Sequence, residues 1–142
     1  MNIQEDNMKM PLRVLIVEDD FTSRILLQEV MSRYGVCHIA VNGVEAVVAF
    51  QDALQNQKPY QLVFLDIMMP EMDGQETLKR IRAIEMEGGI LLGHGAKIIM
   101  QTAHTDAKNI LESFSEMCDA YLVKPIQVDK LKKELKTLGL IE

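Results

Sequence analysis

The chain has 142 residues and a formal net charge of −6, with 48 % hydrophobic and 25 % charged residues. This composition is typical of one compact globular domain and excludes an intrinsically disordered chain, and the acidic balance disfavours nonspecific binding to nucleic acid or anionic lipid. Because no apolar stretch approaches the roughly 18 residues of a membrane helix and no signal peptide is visible, we expect a cytoplasmic protein.

The first half of the chain alternates between strand-like and helix-like patterns. Residues 1–11 show no periodicity, and we expect a flexible tail before a domain at residues 12–139. A branched apolar run at 12–17 predicts a buried strand, followed by a helix that stops at Gly35 and a second strand at 36–41. Asn42 then suits a helix N-cap with Glu45 as its capping-box partner. The helix that Asn42 opens carries the apolar residues Val44, Val47, Val48 and Leu54.

The second half continues the alternation. A third strand at 61–65 ends at Asp66, and a third helix at 75–86 turns Leu78 and Ile81 inward. Four further elements follow the same pattern. They are a strand at 98–101 with a helix capped by Thr105 that holds Ile110, Leu111, Phe114 and Met117, a strand at 120–123, and a last helix at 127–138.

Five strand–helix pairs in succession predict an α/β fold. Parallel strands need crossover connections, which are right-handed, so helices should cover both faces of a doubly wound five-stranded parallel sheet. A closed eightfold barrel would need about 250 residues and is excluded.

Polar residues follow four of the five predicted strands. Glu18, Asp19 and Asp20 follow the first strand, and three later strands end in single polar residues: Asp66, Thr102 and Lys124. Each has an ordinary structural explanation, and helix capping is as good an explanation for Asp20 as a site role. The carboxyl ends of parallel strands meet at one edge of the sheet, however, and this convergence favours a functional site there.

The residue types at this edge indicate phosphoryl transfer. Clustered carboxylates repel one another unless a cation intervenes, and oxygen ligands without Cys or His favour Mg²⁺. A lysine ammonium and a threonine hydroxyl can contact the remaining phosphoryl oxygens. The set therefore predicts a site for phosphoryl transfer onto a carboxylate.

Four motifs then resemble a known family. They are Val-Leu-Ile-Val-Glu-Asp-Asp (14–20), Leu-Asp-Ile-Met-Met-Pro-Glu-Met-Asp-Gly (65–74), Gln-Thr-Ala (101–103) and Tyr-Leu-Val-Lys-Pro (121–125). Together they resemble the response-regulator receiver domains of two-component signalling, from residue 12 to about residue 138. The resemblance implies a flavodoxin-like receiver fold with strand order 2-1-3-4-5.

The resemblance also implies roles in the phosphorylation chemistry. Asp66 would be the phosphoacceptor, and Lys124 would contact the phosphoryl group. Arg24 matches the basic residue that follows the second metal-site acid by five positions. The Mg²⁺ site would therefore consist of Asp19, Asp66 and the backbone carbonyl of Met68, with Glu18 acting mainly through water.

Further residues match the switch and structural positions of the family. Thr102 and Tyr121 would form a switch pair, in which the hydroxyl moves to the phosphoryl group and the aromatic ring turns into the space it leaves. The bond before Pro125 would be a cis peptide. Gly74 would permit the turn into the third helix from the loop that follows the phosphoacceptor Asp66, called the acceptor loop below.

The expected function is a signalling switch rather than an enzyme. A sensor histidine kinase or a histidine phosphotransfer protein would donate the phosphate. A downstream protein would bind the face made by the fourth predicted helix, the fifth strand and the fifth helix. We expect no effector domain, no direct contact with nucleic acid and no membrane association.

Alternatives to this function remain open from sequence. The chain could be a receiver excised from a larger regulator or hybrid kinase, or a receiver-like interaction module that works without phosphorylation. A haloacid-type phosphatase is disfavoured because its second aspartate would stand where Met68 stands.

The Gly-rich stretch from Glu87 to Gly95 is longer than relatives usually carry, and it lacks the Gly-Lys-Ser/Thr ending of a nucleotide-binding P-loop. We interpret it as a flexible surface loop. A partner contact is the alternative, which exposure of Ile90, Leu91 and Leu92 would favour.

Overall fold

The computed structural model describes residues 11–69, 71–103 and 117–142, which form five strands and four helices. The strands are β1 (Leu12–Val17), β2 (Gly35–Ala40), β3 (Leu62–Asp66), β4 (Lys97–Thr102) and β5 (Ala120–Val123). The helices are α1 (Phe21–Met31), α2 (Gly43–Gln55), α3 (Gly74–Glu87) and α4 (Val128–Thr137).

The strands form one parallel sheet in the order β2-β1-β3-β4-β5. This order confirms the predicted doubly wound sheet and its 2-1-3-4-5 arrangement. The described strands and α2 to α4 lie within one or two residues of their predicted bounds, but α1 ends at Met31, earlier than the predicted stop at Gly35, which instead begins β2. The helix predicted to begin at Thr105 lies outside the described residues.

Two hydrophobic layers hold the helices against the sheet. On one face Phe50 of α2 and Leu78 and Ile81 of α3 pack with inward residues of the strands. On the other face α1 and α4 bury four leucine and methionine side chains, which are Leu27, Met31, Leu131 and Leu135. The central strands β1 and β3 are therefore covered on both sides and read as nearly continuous apolar runs. Within residues 11–69, 71–103 and 117–142, no helix has the length and apolar character needed to cross a lipid bilayer.

Helix α2 begins as predicted, but its buried face is not the one that carries Val44 and Val48. The Asn42 side chain accepts a hydrogen bond from the Glu45 N–H at 2.8 Å, and Glu45 in turn accepts one from the N–H of Val41 at 3.1 Å. Val44 and Val48 are exposed. The buried residues are Gly43, Ala46, Phe50 and Ala53. Small residues let the helix approach the sheet and α3 closely, and this close approach outweighed the larger apolar area of the valines.

The Gly-rich loop after α3 is anchored by a buried carboxylate. Glu85 accepts hydrogen bonds from the Ala96 N–H and from Arg82, both at 2.7 Å, while the N–H of Ile90 donates to the Glu85 carbonyl at 2.9 Å. Leu91 and Leu92 are 73 % and 63 % exposed. The loop is thus a surface loop, as predicted, and the exposed leucines are the feature that would favour the alternative of a partner contact.

Gly74 allows α3 to start directly against the end of β3. Its N–H donates to the Ile67 carbonyl at 2.9 Å. A Cβ at this position would overlap the backbone carbonyl of Asp66 and lie 2.7 Å from the Ile67 Cα. The glycine is therefore required by this close backbone approach, and its position holds the acceptor loop in place.

We expect Gly74→Ala to lower the free energy of unfolding by about 2 kcal/mol or more, because the overlapping Cβ forces the backbone of β3 or α3 to shift. Equilibrium urea unfolding measures this change. Gly88→Ala is the matched control, since a Cβ at Gly88 meets its nearest atom, Leu54 Cδ2, at an ordinary 3.4 Å. Equal losses in the two variants would contradict the steric explanation.

Candidate functional site

The ends of β1, β3 and β5 bring three charged side chains into direct contact. Lys124, just after β5, places its Nζ 2.7 Å from Glu18 Oε1 and 3.1 Å from Asp66 Oδ2. Glu18 is fully buried and Asp66 is nearly so. One ammonium group therefore bridges two buried carboxylates at the carboxyl edge of the sheet, where the sequence predicted that these residues would converge.

The acidic residues after β1 divide into two groups. One carboxylate oxygen from each of Glu18, Asp19 and Asp66 lies within 4.8 Å of the others. Asp20 instead caps α1, because its Oδ2 accepts a hydrogen bond from the Ser23 N–H at 2.9 Å. This hydrogen bond lowers the pKa of Asp20 below its usual value. Of the two explanations open for Asp20 from sequence, the structure supports helix capping.

The three clustered carboxylates can hold a metal ion. They offer only hard oxygen donors, which is the ligand type that Mg²⁺ prefers, and no cysteine or histidine belongs to the cluster among the described residues. Asp19 is exposed while Glu18 and Asp66 are buried. An ion bound here would therefore keep a side open to solvent and substrate.

Burial and charge set the protonation of the bridged groups. Burial, and after it the neighbouring Asp66, raise the pKa of the Glu18 carboxyl to about 7, although the hydrogen bond from Lys124 opposes the shift. For Lys124, burial alone would lower the pKa, but its hydrogen bond with Glu18 and the charge of Asp66 raise it overall. Lys124 is thus a permanent cation in this site at neutral pH, and Glu18 is the group that can exchange a proton.

Backbone contacts fix the acceptor loop and the lysine. The N–H of Met68 donates to Asp66 Oδ1 at 3.1 Å, and the Met68 side chain is exposed. Arg24 donates to the Glu18 carbonyl at 3.3 Å, so it supports the turn that carries the acidic pair. The N–H of Lys124 donates to the Thr102 carbonyl at 2.7 Å, and the Lys124–Pro125 peptide bond is cis.

Thr102 and Tyr121 lie on neighbouring strands and on the same face of the sheet. In the register of β4 and β5, Met100 is opposite Tyr121 and Thr102 is opposite Val123. Met100 faces the layer of α2 and α3. Thr102 and Tyr121 therefore face it too, as diagonal neighbours. Thr102 is buried, and Tyr121 is 40 % exposed at the rim.

Sequence reasoning gave no role to Gln101, although it is fully buried and pairs in register with Asp66. The one feature of the sequence that could have indicated this residue is an amide side chain between the apolar run of β4 and Thr102. That pattern alone does not distinguish a buried amide from an exposed one at a strand end.

Comparison with known proteins places this site in a family. The family model described as the response regulator receiver domain matches residues 14–136. The chain belongs to this family. The acidic cluster and the lysine of this receiver thus lie within the matched region, at the edge of the sheet that the motifs predicted.

Individual relatives of the receiver occur in several settings. Sporulation initiation phosphotransferase F of Bacillus subtilis is 32 % identical over 125 residues, which are 87 % of this chain and 90 % of that protein. Probable histidine kinase 2 of Oryza sativa subsp. indica is 29 % identical over 137 residues, and these cover 89 % of this chain but only 13 % of the kinase. The fold therefore occurs both as most of a small protein and as a minor part of a large one.

A solved structure supports the same assignment. The receiver domain of the histidine kinase CKI1 from Arabidopsis thaliana, complexed with Mg²⁺ and BeF₃⁻, is 26 % identical with a TM-score of 0.74. The match covers 90 % of this chain and 89 % of that one. The receiver thus shares its backbone arrangement with a domain that was crystallised with a divalent metal ion.

We expect Mg²⁺ to stabilise the receiver through the acidic cluster. Saturating Mg²⁺ should raise the free energy of unfolding by about 1–3 kcal/mol, because the ion binds only the folded chain. Asp19→Asn should abolish most of this gain in calorimetric melting. Asp20→Asn is the matched control, since asparagine is an equally good N-cap and this side chain lies outside the cluster. A full Mg²⁺ response in Asp19→Asn would contradict the assignment.

The raised pKa of Glu18 predicts a pH-dependent stability of the metal-free receiver. Between pH 4.5 and about 7 the folded chain holds a proton at Glu18 that the unfolded chain has lost. Stability should therefore fall as pH rises through this window. In EDTA, the stability of Glu18→Gln should not show this dependence on pH. Its free energy of unfolding relative to the wild type should therefore increase across the window, by on the order of 3 kcal/mol at most. Parallel stability curves for the two proteins would contradict the shift.

Proposed function

We propose that Asp66 of this receiver accepts a phosphoryl group from the phosphohistidine of a sensor histidine kinase or a histidine phosphotransfer protein. The observation that carries the proposal is the contact of Lys124 Nζ with Asp66 Oδ2 at 3.1 Å beside the cluster of Glu18, Asp19 and Asp66. A nucleophile, a fixed cation and a metal-binding set of carboxylates are thus combined in one site.

The transfer balances as a single displacement at phosphorus. An Asp66 carboxylate oxygen attacks the phosphorus atom, a P–O bond forms, and the P–N bond to the donor histidine breaks. The electron pair of that bond stays on the imidazole nitrogen, and the ring leaves as neutral imidazole because its other nitrogen already carries a proton or because it takes a proton from solvent. Hydrolysis later returns Asp66 to a carboxylate when water attacks phosphorus and the phosphate leaves.

The side chains around Asp66 provide the electrostatics of this transfer. Lys124 neutralises charge on the phosphoryl oxygens, and Thr102 offers a hydroxyl to one of them. Glu18 and Asp19 would hold Mg²⁺ together with Asp66 and the Met68 carbonyl, and the bound ion would supply charge neutralisation at the phosphoryl oxygens. The buried position of Asp66 limits the access of bulk water to the acyl phosphate.

The same residues would turn phosphorylation into a signal. Thr102 would move to the phosphoryl group, and Tyr121, its diagonal neighbour on β5, would turn into the space that Thr102 leaves. The open face beside Tyr121 carries a groove whose lining includes Val123, Lys130, Lys133 and Glu134. We propose that a downstream protein binds this face, which joins β5 and α4; the fourth predicted helix, which we also expect to contribute, lies outside the described residues.

We expect incubation with acetyl phosphate and Mg²⁺ to add a single phosphate to the wild-type chain in intact-mass measurements. The adduct should be absent in Asp66→Asn and in EDTA, because both the nucleophile and the metal site are required. Asp20→Asn removes a neighbouring carboxylate without touching the cluster and should be phosphorylated normally.

Two other outcomes would redirect the proposal. Turnover of many equivalents of a phosphate ester would indicate a phosphatase. Failure of the wild type to take up either acetyl phosphate or beryllofluoride, despite Mg²⁺ binding, would indicate a receiver-like interaction module that works without phosphorylation.

A further inference from the structure

One buried polar side chain next to the phosphoacceptor has no partner. Gln101 is fully buried, and neither Nε2 nor Oε1 of its carboxamide makes a hydrogen bond. Most buried side-chain polar atoms of the described residues have a hydrogen-bond partner, and these two do not. Glu18 Oε1, by contrast, is partnered by Lys124 Nζ, which contacts it at 2.7 Å.

The sheet register places this carboxamide directly beside the site. Gln101 is opposite Asp66 on β3 and opposite Leu122 on β5. Ile99, two residues earlier on β4, packs in the layer of α1 and α4, so the Gln101 side chain is directed to that layer as well. Since neighbouring strands lie about 4.8 Å apart, a glutamine side chain can reach the carboxyl group of Asp66.

The backbone of Gln101 is fully engaged, so its side chain is what remains unsatisfied. Its carbonyl accepts a hydrogen bond from the Ile67 N–H at 3.0 Å, and the residue lies in the interior of the β3–β4–β5 ladder. A buried amide without a partner destabilises the state in which it occurs, whereas an apolar side chain of the same shape would not. The unphosphorylated arrangement therefore carries a local cost at Gln101.

We propose that Gln101 is a positioning residue of the phosphorylation switch, whose carboxamide gains a hydrogen-bond partner in the phosphorylated arrangement and biases the receiver toward it. The inference rests on the proposed function, because phosphorylation draws Lys124 to the phosphoryl oxygens. Lys124 then no longer holds Asp66 Oδ2 as it does now, at 3.1 Å, and the hydrogen-bond acceptors beside the Gln101 amide are rearranged. Thr102, the next residue along β4, moves in the same step.

The test compares wild type and Gln101→Met in the unmodified form and in the form bound to Mg²⁺ and beryllofluoride, a stable mimic of the acyl phosphate. Methionine keeps the length of the side chain and removes the amide. We expect a higher melting temperature for the unmodified variant and an approximately tenfold weaker beryllofluoride affinity by titration calorimetry, since both changes favour the unmodified state.

Matched controls separate this effect from repacking of the core. Ile99→Val alters the same strand and the same layer without touching an amide, and it should lower the stability of both forms alike, with unchanged beryllofluoride affinity. Gln101→Leu provides a second apolar variant should Gln101→Met fold poorly, and it should weaken beryllofluoride binding in the same direction.

The possible outcomes separate the role of Gln101 from the proposed phosphorylation of Asp66. A wild type that binds beryllofluoride while the apolar variants bind it within twofold of wild type would overturn the role of Gln101 and leave the receiver chemistry intact. A lower melting temperature of both unmodified apolar variants would also overturn it, because the amide would then be satisfied. A wild type that binds no beryllofluoride and forms no phosphate adduct would remove the proposed function together with the inference.

Discussion

The contact of Lys124 with two buried carboxylates is the interaction on which the rest of the site depends. Glu18 and Asp66 are both almost inaccessible to solvent, and two such carboxylates cannot both ionise in proximity without a compensating cation. Lys124 Nζ supplies that charge at 2.7 and 3.1 Å. The raised pKa of Glu18 indicates that the compensation is incomplete in the metal-free protein. A second cation bound by the acidic cluster would complete the compensation, so the site can be built from carboxylates whose burial is unfavourable on its own.

The backbone holds this lysine where it must be. Lys124 follows β5, and its N–H donates to the Thr102 carbonyl at the end of β4. Asp66 ends β3, and its backbone carbonyl leaves no room for a side chain at Gly74. These short contacts hold both Asp66 and Lys124. If Thr102 or Lys124 moved toward a phosphoryl group, as proposed, the ends of β4 and β5 would therefore have to shift as well. In the proposed switch, these contacts would connect Asp66 with the exposed surface around Tyr121.

The sequence predicted the parts of the molecule that depend on period and on strand ends. Parallel strands have one carboxyl edge, so the meeting of Glu18, Asp66 and Lys124 followed from their places in the chain. It did not predict the buried face of α2, because Ala46 and Ala53 are chosen for close approach rather than for apolar area. Nor did it predict the partners of Glu85 or the burial of Gln101, since both depend on distant residues that meet only in the folded chain.

The opposite edge of the sheet is organised by different rules. There Arg82 donates to the Met117 and Ala96 carbonyls and pairs with Glu85 and Asp119, while Asp119 accepts from the Ile98 N–H at 2.8 Å. Among the described residues, no buried side-chain atom of this network lacks a hydrogen bond, so the network rigidifies the start of β4 and β5. Near Asp66 the pattern is reversed, with a strained charge balance at Glu18 and an unpaired amide at Gln101. A sheet that is well hydrogen-bonded at one end can tolerate unfavourable contacts at the other, and these contacts lie where the proposed phosphorylation would act.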